Sequence, residues 1–122
     1  MLEAIGINEL EDFIWNSYLQ NKIIVLYFGA EWCGPCKSLK ERLESDETQE
    51  EMPNLSVVYI DIDNDDNNEI SDTYKVKGLP TQIFVKLDEN EIVIIKTIIG
   101  YDWINFRLTY SDIDGKIANE LS

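Results

Sequence analysis

Trp32-Cys33-Gly34-Pro35-Cys36-Lys37 is the stretch that decides the fold of this 122-residue chain, and it contains both of the chain's cysteines. It follows an apolar run, Ile23 to Phe28, that has the character of a central strand buried on both faces. A helix is predicted from Pro35 onward, because proline is favoured in a first helical turn and Leu39 and Leu43 are four residues apart. Two cysteines separated by two residues at a strand-to-helix turn predict a redox-active dithiol.

The length and composition limit what the chain can be. A chain of 122 residues with 44% hydrophobic residues predicts one globular domain, residues 1–122. The formal net charge of −14 argues against binding to nucleic acid and to anionic membrane surfaces, because both would repel it. The chain has no histidine, which excludes Cys-His nucleophile pairs, Ser-His-Asp triads and histidine-containing metal sites.

The expected location is a reducing cytoplasm. Two cysteines are too few for a secreted disulfide scaffold. The segment Met1 to Ile5 does not show a basic stretch followed by an apolar core, so no signal peptide is predicted. No apolar run approaches the roughly 20 residues of a membrane span.

The rest of the chain predicts the element order β-α-β-α-β-α-β-β-α. A short edge strand is predicted at Ala4 to Ile7, and Asn8 with Glu11 predicts a capping box at the start of the first helix. Residues 44–51 are either an extension of the motif helix or a solvated connection. The other expected elements are a strand from Ser56 to Ile62, a short helix capped by Asn67 or Asn68, a hairpin of Gln82–Leu87 with Ile92–Ile99, and a helix from Trp103 that Asp102 caps and Asp114-Gly115 interrupts.

Four segments together resemble the thioredoxin family over nearly the whole chain. They are Ala30 to Lys37, Asp61-Ile62-Asp63, Gly78-Leu79-Pro80-Thr81 and Gly100. The resemblance implies an α/β thioredoxin fold, with a mixed five-stranded sheet flanked by four helices. It also implies that Pro80 is in the cis form and faces the dithiol.

The resemblance implies a protein-disulfide reductase, and the physics of the motif agrees. We expect Cys33 at the N-cap of the motif helix, where free backbone N–H groups and the helix dipole favour a thiolate. A stabilisation of about 1–2 kcal/mol would lower its pKa by roughly 0.7–1.5 units. Cys33 would attack a target disulfide, and Cys36 would then resolve the mixed disulfide. No cofactor is expected beyond the redox-active Cys33–Cys36 disulfide itself.

A substrate-docking surface is expected around the dithiol. Gly34 and Pro35 would keep the two sulfurs close without crowding, and Pro80, which has no N–H, would leave the neighbouring backbone open to an extended substrate. The residues expected to form this flat, apolar surface are Trp32, Gly78, Leu79, Pro80, Ile99 and Gly100. The expected partners are disulfide-containing proteins and, as the resemblance implies, a flavin-containing thioredoxin reductase that uses NADPH. We expect a monomer.

The chain departs from the family behind the motif. Thioredoxins usually carry a buried Asp in the strand before the motif and a Lys on the next strand, and the matching positions here are Tyr27 and Tyr59. The Asp is thought to help deprotonate the second cysteine. Cys36 therefore needs another route for its proton, such as water or a Tyr hydroxyl, and we predict an active enzyme with an altered pH dependence or a slower release step.

Other functions remain open at this point. The alternatives are a redox-inactive adaptor of the same fold and an oxidase or isomerase, although Gly-Pro between the cysteines favours a reductant. Zinc would require four ligands, which this chain lacks without histidine or a second cysteine pair. The Asp61-x-Asp63-x-Asp65 pattern lacks the glycine and glutamate of a calcium loop, so we interpret it as a solvated acidic loop and expect no metal.

Overall fold

The computed structural model describes residues 1–121, and their centre is a mixed five-stranded sheet in the order β1-β3-β2-β4-β5. The predicted sheet is confirmed. β2 pairs in parallel with β3 and antiparallel with β4, and the β4–β5 hairpin forms one edge. The strands are β1 (Leu2–Glu3), β2 (Ile23–Gly29), β3 (Leu55–Asp61), β4 (Thr81–Asp88) and β5 (Glu91–Ile99).

Within residues 1–121 the sheet is accompanied by five α-helices and a 3₁₀ turn at Asp65–Asn67. The acidic stretch after the motif helix forms a helix of its own, because Ser45 ends one helix and caps the next. The Ser45 hydroxyl accepts a hydrogen bond from the backbone N–H of Thr48 at 3.2 Å. The helices are α1 (Ile7–Leu19), α2 (Gly34–Glu44), α3 (Asp46–Glu51), α4 (Asn68–Thr73) and α5 (Trp103–Leu121).

The central strand β2 is the rigid support of the motif, since all seven of its residues are buried. Leu10 of α1 and Ile70 of α4 pack against one face of the sheet. Leu39 of α2 and Phe106 of α5 pack against the other face. Burying each such side chain contributes about 1.5–3 kcal/mol. The carboxyl end of β2, where the motif begins, is therefore held from both sides.

The N-terminal elements differ from the prediction. The edge strand lies at Leu2–Glu3 instead of Ala4 to Ile7, where it pairs with β3. The Asn8 capping box is wrong, because α1 already begins at Ile7 and Gly6, with φ at 85°, occupies the N-cap position. The N–H of Gly6 instead donates to the Asn67 side chain at 2.8 Å. A tertiary contact therefore fixes this helix start.

The C-terminal half of the structure agrees better with the elements predicted from the sequence. The hairpin is confirmed, with a two-residue turn at Glu89-Asn90 in which both residues have positive φ. The Asp102 cap is confirmed, since its carboxylate accepts from the N–H of Asn105 at 3.1 Å. The predicted interruption at Asp114-Gly115 is wrong, because α5 continues through it. None of the helices in residues 1–121 combines the length and the apolar character needed to cross a bilayer.

Candidate active site

The two cysteines form a disulfide at the junction of β2 and α2, with their Cα atoms 5.2 Å apart. Cys33 has extended backbone angles and is the N-cap of α2, as predicted. Its Sγ accepts a hydrogen bond from the N–H of Cys36 at 3.2 Å. One of the free N–H groups at the helix start therefore already points at the sulfur that would carry negative charge after reduction.

The sulfurs lie at the protein surface but are mostly covered. Cys33 is 6% exposed and Cys36 is 2% exposed, which agrees with the second cysteine being the more buried. Ala30 forms one buried cluster with the two cysteines, and Leu79 packs against this cluster. The exposed Gly34 and Pro35 form the outer side of the turn, so a substrate can approach Cys33 from there.

Trp32 lies beside the dithiol and is 70% exposed. Its indole N–H donates to the carboxylate of Asp63 at 2.7 Å. Asp63 follows β3, so this bond joins the two strand ends across the sheet. The sequence pattern contained Asp63 but gave no signal that it would hold Trp32. An exposed aromatic ring that is fixed in orientation is suited to contact with another protein.

The other predicted docking residues contact one another, and Leu79 among them packs against the cysteine cluster. The Leu79-Pro80 bond is cis, as the resemblance implied. Pro80 is buried and its carbonyl accepts from the N–H of Gly100 at 2.7 Å, so it joins two segments of the surface without adding exposed area. Ile99 is 65% exposed, and Gly78 leaves the room it needs, since a Cβ there would lie 3.1 Å from Ile99 Cγ2.

Tyr27 and Tyr59 lie side by side behind the dithiol. They are opposite each other in the β2–β3 register, and their ring centroids are 5.4 Å apart. Tyr27 is fully buried, and its hydroxyl donates to the backbone carbonyl of Cys36. The position at which the resemblance implies an acid therefore holds a neutral donor, which binds the backbone of Cys36.

Both tyrosines remain protonated at physiological pH. Burial, aided by Tyr59, raises the pKa of Tyr27 well above its ordinary value. Burial and then the nearby carboxylates of Asp61 and Glu3 raise the pKa of Tyr59 to about 12. A phenol that keeps its proton is not a base for Cys36, so the raised pKa values do not favour the Tyr-hydroxyl route that the sequence suggested.

The raised pKa of Tyr59 predicts a loss of stability in alkali. Unfolded tyrosines ionise near pH 10, so between about pH 10 and pH 12 the folded state binds more protons than the unfolded state. The free energy of unfolding by urea should therefore fall as pH rises above about 10. Tyr59→Phe should make this fall shallower, whereas Tyr18→Phe, at an exposed position, should not. Parallel curves for the three proteins would contradict the prediction.

Gly29 is a site residue that the sequence analysis missed. It is the last residue of β2, and a Cβ added to it would lie 2.9 Å from a Tyr59 ring carbon and 3.0 Å from a Tyr27 ring carbon. The same Cβ would be 3.5 Å from Cys36 Cβ. The two rings can therefore lie under the motif only because residue 29 has no side chain. Nothing local in the sequence indicates this, because the three residues meet only in the folded sheet.

A cleft of about 350 Å³ opens against Cys36 on the side of the tyrosines. It carries charges of both signs, with Lys40 Nζ lying 5.3 Å from the centroid of the Tyr59 ring. Two lysines and three carboxylates line this cleft. Its lining residues with ionisable side chains, besides Cys36, are Tyr27, Tyr59, Lys37, Lys40, Glu3, Glu31 and Asp61.

The acidic segment after β3 is used for turns. The carboxylate of Asp61 accepts from the N–H of Asp63 at 2.9 Å, and the side chain of Asn64 accepts from the N–H of Asp66 at 3.0 Å. Over the described part of the chain, no group of three or more cysteine, aspartate or glutamate side chains is arranged to hold a metal ion.

Comparisons with known proteins agree with this geometry. The family model named Thioredoxin matches residues 6–100. A thioredoxin of Chlamydia pneumoniae is 36% identical over 78 residues, which cover 64% of this chain and 72% of that protein. Monothiol glutaredoxin-4 of Saccharomyces cerevisiae is 38% identical over 66 residues, which cover 54% of this chain but only 26% of that protein. The solved structure of Trichomonas vaginalis thioredoxin has a TM-score of 0.77 at 25% identity and covers 92% of this chain and 96% of its own.

Proposed function

Since the chain belongs to the thioredoxin family, we propose that it is a thiol–disulfide oxidoreductase that reduces the disulfides of other proteins. The observation that carries this proposal is the Cys33–Cys36 disulfide, with Cys33 at the N-cap of α2. The exposed side chain of Trp32, next to Cys33 in the chain, and the exposed side chain of Ile99 support the docking of a protein substrate.

In the first step, the Cys33 thiolate of the reduced protein attacks one sulfur of the substrate disulfide. A new Cys33–substrate disulfide forms, the substrate S–S bond breaks, and the other substrate sulfur leaves as a thiolate that takes up a proton from water. The helix start favours the attacking thiolate by roughly 0.3–2 kcal/mol, and each 1.36 kcal/mol lowers the Cys33 pKa by about one unit.

In the second step, Cys36 loses its proton and attacks Cys33 Sγ. The Cys33–Cys36 disulfide of this structure forms, and the substrate leaves with its second sulfur reduced. The substrate has then gained two electrons, which the dithiol has lost. The backbone N–H of Cys36 and the hydroxyl of Tyr27 hold the two cysteines in this arrangement.

A catalytic cycle requires a donor that reduces the disulfide again. Members of the family are reduced by a thioredoxin reductase, and we propose the flavin-containing enzyme that uses NADPH as the donor here. The net charge of −14 supports proteins, and not nucleic acids or anionic membranes, as partners. We propose that the protein acts as a monomer in the cytoplasm, where such a reductase can keep it reduced.

The reduction of insulin by dithiothreitol tests the proposed function. The wild-type protein should accelerate the precipitation of the insulin B chain by at least about tenfold over dithiothreitol alone, whereas Cys33→Ser should not accelerate it. A wild-type protein without activity would contradict the proposal and favour the adaptor. A reduction potential near that of protein disulfide isomerase, about −180 mV instead of about −270 mV, would favour an isomerase or oxidase.

A further inference from the structure

Cys36 has to lose a proton before it attacks Cys33, and no buried acid lies behind it. The buried polar side chains among residues 1–121, apart from the cysteines and tyrosines, are those of serine, threonine, asparagine and glutamine. Every aspartate and glutamate described by the structure is at least partly exposed. The usual acceptor of the family is therefore absent from the described residues, and no carboxylate elsewhere has taken over its buried position.

Tyr27 occupies the position of that acid and has a different structural role. The Tyr27 hydroxyl donates its proton to the carbonyl of Cys36, which lies in the first turn of α2. A carbonyl with two lone pairs can accept this bond together with its helical one. Tyr27 can thus hold the backbone of Cys36. Its O–H already donates to the Cys36 carbonyl, and the protonated phenol offers no basic group.

Solvent, in contrast, can approach Cys36. The cleft of about 350 Å³ that reaches Cys36 has room for on the order of ten water molecules. The titratable groups that face the cleft, besides Cys36, are Glu3 from β1, Tyr27 from β2, Glu31 before the motif, Tyr59 and Asp61 from β3, and Lys37 and Lys40 from α2. Glu3, Glu31 and both lysines are exposed, so these charges are themselves hydrated.

We propose that the thiol proton of Cys36 passes directly to solvent in this cleft, and that Tyr27 is a positioning residue that holds Cys36 by its backbone during the step. This inference rests on the proposed function and specifies its second half-reaction. The S–H bond of Cys36 breaks and its proton goes to water or hydroxide in the cleft. The resulting thiolate forms the bond to Cys33 Sγ, and the substrate sulfur leaves with the electron pair of the broken disulfide.

Stopped-flow reaction of the reduced protein with 5,5′-dithiobis(2-nitrobenzoate) separates the two half-reactions. The attack of Cys33 releases a first equivalent of coloured thiolate, and the attack of Cys36 then releases a second at a rate that does not depend on reagent concentration. The coloured product remains a thiolate above about pH 6, so the second phase reports only the deprotonation and attack of Cys36. A missing first phase would overturn the proposed function itself, whereas this inference concerns the second phase alone.

With solvent as the acceptor, the second rate constant should rise close to tenfold per pH unit between about pH 6 and pH 8, following the thiolate fraction of Cys36. Glu31→Gln and Asp61→Asn should keep this slope and should change the rate by no more than about twofold. A plateau below about pH 7.5 in the wild type, or a loss of about tenfold or more in either variant, would overturn the proposal. Either result would indicate that a fixed carboxylate of the protein, and not solvent, accepts the proton.

Tyr27→Phe tests the positioning role. It should leave the first phase unchanged and slow the second by about three- to tenfold at every pH, with the slope retained, since the geometry and not the acceptor is altered. Tyr110→Phe is the matched control, because Tyr110 is also buried and its hydroxyl accepts a backbone hydrogen bond from Asn54 at 3.1 Å, away from the dithiol. An altered slope in Tyr27→Phe, or an equal loss in both variants, would overturn the role of Tyr27.

Discussion

Reduced Cys36→Ser protein is expected to form a stable mixed disulfide with a disulfide-containing protein such as insulin, at about one adduct per chain. Cys33 can still attack from its position at the start of α2, but a serine hydroxyl does not displace the substrate from a disulfide. The adduct should appear on a non-reducing gel and disappear after treatment with dithiothreitol. Under the same conditions the wild-type protein should release its substrate and leave almost no adduct.

Cys33→Ser is the matched control for this trapping experiment. Both cysteines are nearly covered, so exposure alone does not decide which one attacks. The N-cap position and the N–H of Cys36 favour Cys33. We therefore expect no adduct with Cys33→Ser. Trapping by Cys33→Ser instead of Cys36→Ser would reverse the roles of the two cysteines. Recovered adducts from a cell extract would identify the natural substrates.

Tyr27→Ala should have the largest effect on stability. Tyr27 is fully buried in the central strand, and replacing a large buried aromatic side chain by alanine costs about 3–5 kcal/mol of the free energy of unfolding. The lost hydrogen bond to the Cys36 carbonyl adds to this cost. For a domain of this size, the melting temperature should fall by about 10–20 °C, measured by circular dichroism on the oxidised protein.

Tyr18→Ala provides the comparison, because Tyr18 is 46% exposed on α1. Its loss should change the free energy of unfolding by less than about 1 kcal/mol. Equal effects of the two substitutions would mean that the buried ring of Tyr27 does not stabilise the core behind the dithiol. The comparison also separates a general effect of removing an aromatic ring from the specific effect of removing this one.

The parts of the fold that the sequence predicts are those with a local cause. The apolar run of β2, the motif at its end and the hairpin all follow from neighbouring residues. The cis form of the Leu79-Pro80 bond followed from the resemblance and is confirmed, and Leu79 packs against the cysteine cluster. The Asp102 cap was also visible, because an N-cap and the N–H that it binds are three residues apart.

The parts that the sequence did not predict depend on contacts between distant residues. The start of α1 is set by a bond from Gly6 to Asn67, 61 positions away. The orientation of Trp32 is set by Asp63, which lies 31 positions away. The helix α5 continues through Gly115, where the local propensity favoured a break, so the packing of the helix as a whole outweighed one unfavourable residue.

Residues 27, 29 and 59 pack against one another through Gly29. A substitution at one of these positions therefore has to be compatible with the side chains at the other two. A side chain at position 29 alone would collide with both rings, at 2.9 Å and 3.0 Å. An acid at position 27 alone would leave a void beside the glycine and would remove the hydrogen bond from the Tyr27 hydroxyl to the carbonyl of Cys36. Replacing Tyr27 by an acid while Gly29 and Tyr59 are kept should therefore lower the free energy of unfolding.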